Sequence, residues 1–273
     1  MNKKLNLVSI IMPVYNCEEF IEKAVKSVLN QSYSNIELIA IDDFSTDSSY
    51  KILHNIENEK LKVFKNHKNK GMSYTLNKAI DLSQGDFIMR MDADDYIDIN
   101  KIKKQINYLL ENPKVDVVGC NYTRVSFCGT NLHVSNKSLN DTEIKKFISF
   151  KKFFLSGPNF DITDGTLFAK ARWFRQYKYD EKIFYSQDFE LIARSFQNST
   201  FHNLEDSLYF YRQGSGVTAN VKAQIISCVV RFKAINNIKG LSLVHIFFCN
   251  LSLMIRPLVY IFVYYYYKLA KAK

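Results

Sequence analysis

Two alternating patterns organise the first 120 positions. Leu7 to Val14 and Ile36 to Ile41 are mainly apolar runs, the pattern of strands covered on both faces. Between them, Phe20, Ala24, Val25, Val28 and Leu29 recur at helical spacing. They predict a helix over Cys17–Asn30 with Glu18 and Glu19 in its first turn. The series continues with a helix carrying Ile52, Leu53 and Ile56, a strand at Leu61–Phe64, a helix at Met72–Leu82, a strand at Phe87–Met91, a helix near Asn100–Leu110 and a strand at Val115–Cys120. Such alternation predicts an α/β domain with a mostly parallel central sheet flanked by helices, joined by right-handed crossovers. Beyond Cys120 the alternation fades. A helix is expected at Asp141–Leu155, a short strand after Asp164–Thr166, and helices over Arg172–Tyr177, Ser186–Arg194 and Val217–Ile238.

Composition narrows the class. With 47% hydrophobic and 14% aromatic residues, the chain can bury a sizeable core, which excludes a disordered or linker-like protein. Lys and Arg number 37 against 27 Asp and Glu, and the resulting +10 points to an anionic partner: nucleic acid, an anionic membrane surface or a phosphorylated small molecule. Cys17, Cys120, Cys128, Cys228 and Cys249 are odd in number and lack zinc-ligand spacing, so a reduced, cytosolic compartment is expected. Lys3 and Lys4 before the apolar run mimic a signal peptide, but the run is broken by Ser9 and Pro13 and leads straight into Glu18 and Glu19.

The polar residues gather where each predicted strand ends. Tyr15 and Asn16 follow the first, Asp42 and Asp43 the second, and Asp92, Asp94 and Asp95 the strand at Phe87–Met91. In open α/β sheets ligands bind beyond the carboxyl ends of the strands. Carboxylates this close repel unless something neutralises them, and a magnesium or manganese ion that also bridges a substrate's phosphates is the natural partner. Capping of the next helix accounts for one of Asp42 and Asp43, but not for two at a strand end.

Pro13–Asn16, Asp42–Ser49, Asn69 with Gly71, and Gly85–Asp95, in this order and spacing, resemble family 2 glycosyltransferases over roughly Leu7–Arg212. The resemblance is to the small bacterial enzymes that build O-antigen or capsule repeat units. It implies a single nucleotide-sugar-binding domain of the A type, inverting transfer from a nucleoside diphosphate sugar (a UDP-sugar foremost) and a divalent Mn2+ or Mg2+ cofactor. It further implies that Pro13 and Tyr15 line the base pocket and that Asn16 belongs to the nucleotide-sugar site. Asp43 would accept from the base with Asp42 in support. Asp94 would coordinate the metal, Asp92 would touch ribose or metal-bound water, and Asp95 stays open as a third ligand. Asp188, with Gln187 where the family commonly has glutamate, takes the place of the catalytic base. Glu190 is the competing carboxylate, but helical spacing turns it to another side. Arg212 would approach the diphosphate or the acidic wall of the cleft.

These expectations divide the chain into a catalytic domain at 1–216 and a C-terminal helical segment at 217–273. Within the first, about 1–120 bind the nucleotide sugar and about 121–216 form the acceptor side. Leu241–Ile255 would be only about 22 Å long as a helix, short of a roughly 30 Å bilayer core. Tyr264–Tyr267 and Lys268, Lys271 and Lys273 suit an interfacial, membrane-associating tail. The expected location is therefore cytoplasmic, peripheral to the inner face of the cell membrane. The expected partners are the donor, a glycan or lipid-linked acceptor and the membrane surface, without nucleic acid. The competing readings are a sugar-phosphate nucleotidyltransferase, whose glycine- and arginine-rich loop is missing after Val14, and a non-enzymatic basic membrane- or nucleic-acid-binding scaffold, which leaves the ordered acidic strand ends unexplained.

Overall fold

The structure, a computed structural model, describes residues 5–134, 164–212 and 221–237. The expected helix at Asp141–Leu155 and the tail beyond 237 lie outside the described residues.

The strands are β1 (Val8–Val14), β2 (Ile36–Asp42), β3 (Leu61–Lys65), β4 (Phe87–Arg90), β5 (Tyr96–Ile97), β6 (Val117–Val125), β7 (Asn131–Val134), β8 (Phe168–Lys170) and β9 (Phe201–Arg212). The helices are α1 (Ile21–Leu29), α2 (Ser49–His54), α3 (Met72–Leu82), α4 (Lys101–Glu111), α5 (Ala171–Gln176), α6 (Gln187–Ser195) and α7 (Val221–Asn236). One sheet runs β3-β2-β1-β4-β8-β6-β9-β5, with β7 paired to β6.

The expectation of a mostly parallel sheet holds for β3, β2, β1 and β4, which pair in parallel. The sheet as a whole is mixed. The three-residue β8 slots antiparallel between β4 and β6, and β5 runs antiparallel to β9, while β6 and β9 are parallel. The short strand expected after Asp164–Thr166 is β8, but strands of two or three residues are too short to display any periodicity or to indicate their partners, so the mixed pairing of this half was not read from the sequence.

Alternate residues of β1 serve opposite faces. Val8, Ile10, Met12 and Val14 pack with Val25 of α1 and Ile106 of α4, whereas Ile11 joins Ile80 of α3, Trp173 of α5 and Ile192 of α6. Each buried aliphatic side chain of this kind stabilises the fold by about 1.5–3 kcal/mol relative to exposure, so the strand is apolar except at buried Ser9, whose hydroxyl donates to Glu37.

Two boundaries move. Residues 17–20 form a turn rather than the first turn of α1, because the backbone there is engaged by the loop after β2. Strand β6 continues five residues past Cys120, with Asn121, Thr123 and Val125 buried and Arg124 exposed. Two of these three buried positions are polar, which hid the period-two pattern. Among the described residues no helix is long and apolar enough to cross a membrane.

Candidate active site

The loops after β1 and β2 are fastened side by side. Asn16 N–H donates to Ser45 Oγ at 3.0 Å, and Asn16 Oδ1 accepts from Thr46 N–H at 2.9 Å. Glu18 N–H donates to Asp47 Oδ2 at 3.0 Å, and Glu18 Oε2 accepts from Ser48 N–H at 2.8 Å. Asn16 and Phe44 sit at these loop apices in left-handed backbone (φ 51° and 67°), a conformation that costs non-glycine residues energy and that this lacing holds in place. Tyr15 and Phe44 are left exposed at the rim, and Pro13 is buried within β1 opposite Ile41.

Asp42 and Asp43 are both buried, with different partners. Asp43 Oδ1 accepts from Asn66 Nδ2 at 2.8 Å and Lys70 N–H at 2.9 Å, and Oδ2 accepts from Gly71 N–H at 2.8 Å. The carboxylate thereby organises the 66–71 loop, ending at Gly71, whose positive φ of 87° suits glycine. Asp42 Oδ2 accepts from Ser45 N–H at 3.1 Å, and its Oδ1 is buried without a hydrogen-bond partner.

The acidic loop after β4 is gripped from several sides. Asp92 forms a fork-to-fork pair with Arg90, both contacts at 2.6 Å. Asp95 accepts from the Tyr209 hydroxyl and from Arg212 N–H, each at 2.6 Å. Arg212 donates from Nε to the Asp94 carbonyl at 2.8 Å, reaches the Phe127 carbonyl, and lies over the Phe20 ring at 4.3 Å. Of the three, Asp94 alone receives no hydrogen bond to its carboxylate from another of the described residues. Burial, reinforced by the charge of Asp92, pushes its pKa up to about 6. Asp95 is pushed up to about 8 by burial, with Asp92 and Asp94 adding to the effect.

Asp94 and Asp92 open into a cavity of about 570 Å³ that Asp188, Arg124, Tyr122 and Tyr211 also line. Asp188 stands in the first turn of α6, which follows Ser186 in left-handed backbone (φ 57°) and is seated by buried Phe189, Leu191 and Ile192. Its carboxylate has no hydrogen-bond partner among the described residues. Glu190 turns away as expected: it pairs with Arg194 at 2.7 Å and faces a second cavity between α6 and α7.

The cavity thus gathers Asp92, Asp94 and Asp188, while Pro13, Tyr15, Asn16, Asp42, Asp43 and Arg212 do not line it. Arg90, Tyr122 and Arg124 were missed from sequence. Arg90, two positions before Asp92, was legible as a paired charge, whereas Tyr122 and Arg124 reach the cavity only because β6 runs on.

Among the described residues no three His, Cys, Asp or Glu side chains converge as a ready cation cage. The donor set still fits a partly hydrated divalent ion. Asp94 lines the cavity beside Asp92 without a hydrogen bond from another described residue to its carboxylate, and phosphate and water oxygens can complete the shell.

The profile of the family described as "Glycosyl transferase family 2" matches residues 9–181, more than half of the chain. The chain belongs to this family. Its described residues have the α/β, A-type fold, and the chain is similar to bacterial glycosyltransferases. It is 39% identical over 118 residues to an Escherichia coli enzyme named UDP-Glc:alpha-D-GlcNAc-diphosphoundecaprenol beta-1,3-glucosyltransferase, covering 43% of this chain and 47% of that one. The chain spans about half the length of the curated relatives it matches first. Among solved structures, S. aureus TarS in complex with UDP-GlcNAc matches with TM-score 0.66 and 19% identity, over 88% of this chain and 69% of that one. A Pyrobaculum calidifontis mannosyltransferase in complex with GDP-Man and Mn2+ matches with TM-score 0.62 and 15% identity, over 90% and 68% of the two chains. At such identities these structures bear on the fold alone.

Proposed function

We propose that this family 2 glycosyltransferase transfers a hexosyl or N-acetylhexosaminyl group, with inversion, from a UDP-sugar to a lipid-linked glycan acceptor in cell-surface polysaccharide synthesis. The observation that carries the reading is that Asp94 and Asp188, from distant elements, line one cavity large enough for the reacting groups. The names of the E. coli relative and of TarS in complex with UDP-GlcNAc support a UDP-sugar donor, and the former supports a diphospholipid-borne acceptor.

In this reading Asp94 coordinates a divalent cation of the kind bound in the mannosyltransferase structure, and Asp92 beside it faces ribose or metal-bound water. Bound there, Mn2+ or Mg2+ supplies charge stabilisation to the departing diphosphate. Asp188 accepts the proton of the acceptor hydroxyl as that oxygen attacks the anomeric carbon from the face opposite the leaving group. Tyr15 and Pro13 receive the base, Asp43 and Asp42 shape its pocket, and Asn16 fixes the rim. Arg212 braces the acidic loop from behind rather than gripping phosphate, since its guanidinium is spent on backbone carbonyls. Residues 1–216 act as the catalytic domain, and 217–273 associate with the cytoplasmic face of the membrane through their terminal lysines and tyrosines.

A panel of nucleotide sugars, each assayed for binding and for release of nucleoside diphosphate with and without Mn2+, tests the reading. Metal-stimulated turnover of one UDP-sugar is the expected result. Indifference to every nucleotide sugar would remove it.

A further inference from the structure

The acidic loop presents a contradiction between its composition and its geometry. Three carboxylates within four residues look like a cation site, yet no cage of three forms among the described residues. The hydrogen bonds explain why. Both oxygens of Asp92 are taken by the Arg90 guanidinium at 2.6 Å, in a pair whose side chains are 4% and 21% exposed. Both oxygens of Asp95 are taken by Tyr209 and Arg212. Asp94 alone is left for a metal.

A divalent ion needs about six oxygen ligands and gives up its water reluctantly. One free carboxylate anchors such an ion only weakly. The electrostatics agree, because the guanidiniums of Arg90, at the end of β4, and Arg212, at the end of β9, lie against the loop and offset part of its negative charge. A nucleoside diphosphate changes both terms at once by adding phosphoryl oxygens and negative charge.

We infer that Arg90 is a positioning residue that keeps Asp92 out of the metal's coordination shell, so that the divalent cation enters the site together with the nucleotide's diphosphate and binds poorly without it. The inference rests on the donor reading given above and goes beyond it in assigning the coupling to Arg90. Fork geometry matters here as well as charge: a guanidinium holds both carboxylate oxygens, whereas an ammonium is a point charge that holds one.

The test is Mn2+ binding by the full chain, followed through the electron paramagnetic resonance signal of free Mn2+, with and without saturating UDP. Wild type should bind Mn2+ at least about tenfold more tightly with UDP, within the range of couplings between linked sites. In Arg90→Met, Asp92 is released to join Asp94. Affinity for Mn2+ alone should then rise severalfold and the UDP dependence should shrink. Arg90→Lys should fall between the two. The double variant Arg90→Met/Asp92→Asn should lose the gain, which separates release of Asp92 from general loosening, and circular dichroism confirms that each variant is folded. Should Arg90→Met fail to fold, Asp92→Asn alone decides: a carboxylate kept out of the shell can be neutralised with little change in Mn2+ affinity in the presence of UDP.

Tight Mn2+ binding by wild type without UDP, or an unchanged UDP dependence in folded Arg90→Met, overturns the inference. UDP binding with no Mn2+ uptake in any protein overturns it while leaving the nucleotide-sugar reading intact. Failure of wild type to bind UDP or GDP under any condition overturns both.

Discussion

The Tyr209 hydroxyl donates to Asp95 Oδ2 at 2.6 Å across 114 positions of sequence, fastening β9 to the acidic loop after β4. The same oxygen accepts the Asp92 N–H at 3.3 Å, and the ring is fully buried. Gly165 lies directly against that ring, where a Cβ would collide with the phenol.

Tyr209→Phe should therefore destabilise the protein by about 1–3 kcal/mol, the cost of leaving a buried acceptor short of a donor, and should weaken nucleotide binding. Gly165→Ala should do more, because the phenol has to move. Urea unfolding and UDP titration check both. Undiminished UDP affinity in Tyr209→Phe would separate this strut from the site.

Asp188→Asn should lower the transfer rate by about 10²–10⁴-fold, the usual contribution of a general base, with donor affinity nearly unchanged. Glu190→Gln loses only a helix-surface pair with Arg194, worth about 0.3–0.5 kcal/mol, and should keep its turnover. Steady-state kinetics on the two variants discriminate the carboxylates. Equal losses would mean that helix α6, rather than Asp188, is what matters.

Asp43→Asn should cost about 1–3 kcal/mol. Asparagine presents an amide donor to one of the N–H groups of Asn66, Lys70 and Gly71 that Asp43 now accepts. Chemical denaturation measures the loss, and hydrogen exchange should localise it to residues 66–71. Protection there equal to wild type would contradict the anchoring role.

Lys101 is fully buried beneath the site, donating to Gln105 Oε1 at 2.7 Å and approaching Met89 Sδ at 3.3 Å. Burial pushes its pKa down to about 8. The folded state thus releases a proton near pH 8 that the unfolded chain holds to about 10.4, so the unfolded state binds more protons in that window. Stability relative to Lys101→Met should rise as pH climbs from about 8 to about 10.5, by an amount of order 3 kcal/mol, and stay flat below pH 7. Denaturation midpoints of both proteins across pH 6–10.5 supply the difference curve. A flat difference curve would show that Lys101 keeps its proton throughout.

Periodicity along the chain was enough to specify the N-terminal half of the fold. Its strands are apolar on both faces and its helices amphipathic, so periodicity located β1 to β4, α3 and α4 to within a few residues. The polar strand ends were readable for the same reason, since an aspartate directly after a buried strand has only the sheet's rim to occupy. Alternation also separated Asp188 from Glu190, because helical spacing alone sends them to different sides.

Tertiary structure decided the rest. Strand β5 is too short to carry a period, the short apolar run of β8 gives no orientation or partner, and buried Asn121 and Thr123 interrupt the apolar pattern of β6, so the mixed pairing of this half has no local signature. Which of Asp92, Asp94 and Asp95 keeps a free carboxylate depends on Arg90, Tyr209 and Arg212. Of these, only Arg90 is a sequence neighbour, and the other two arrive from more than a hundred positions away. A run of aspartates specifies charge, but the partners that folding places around each one determine what that charge can bind.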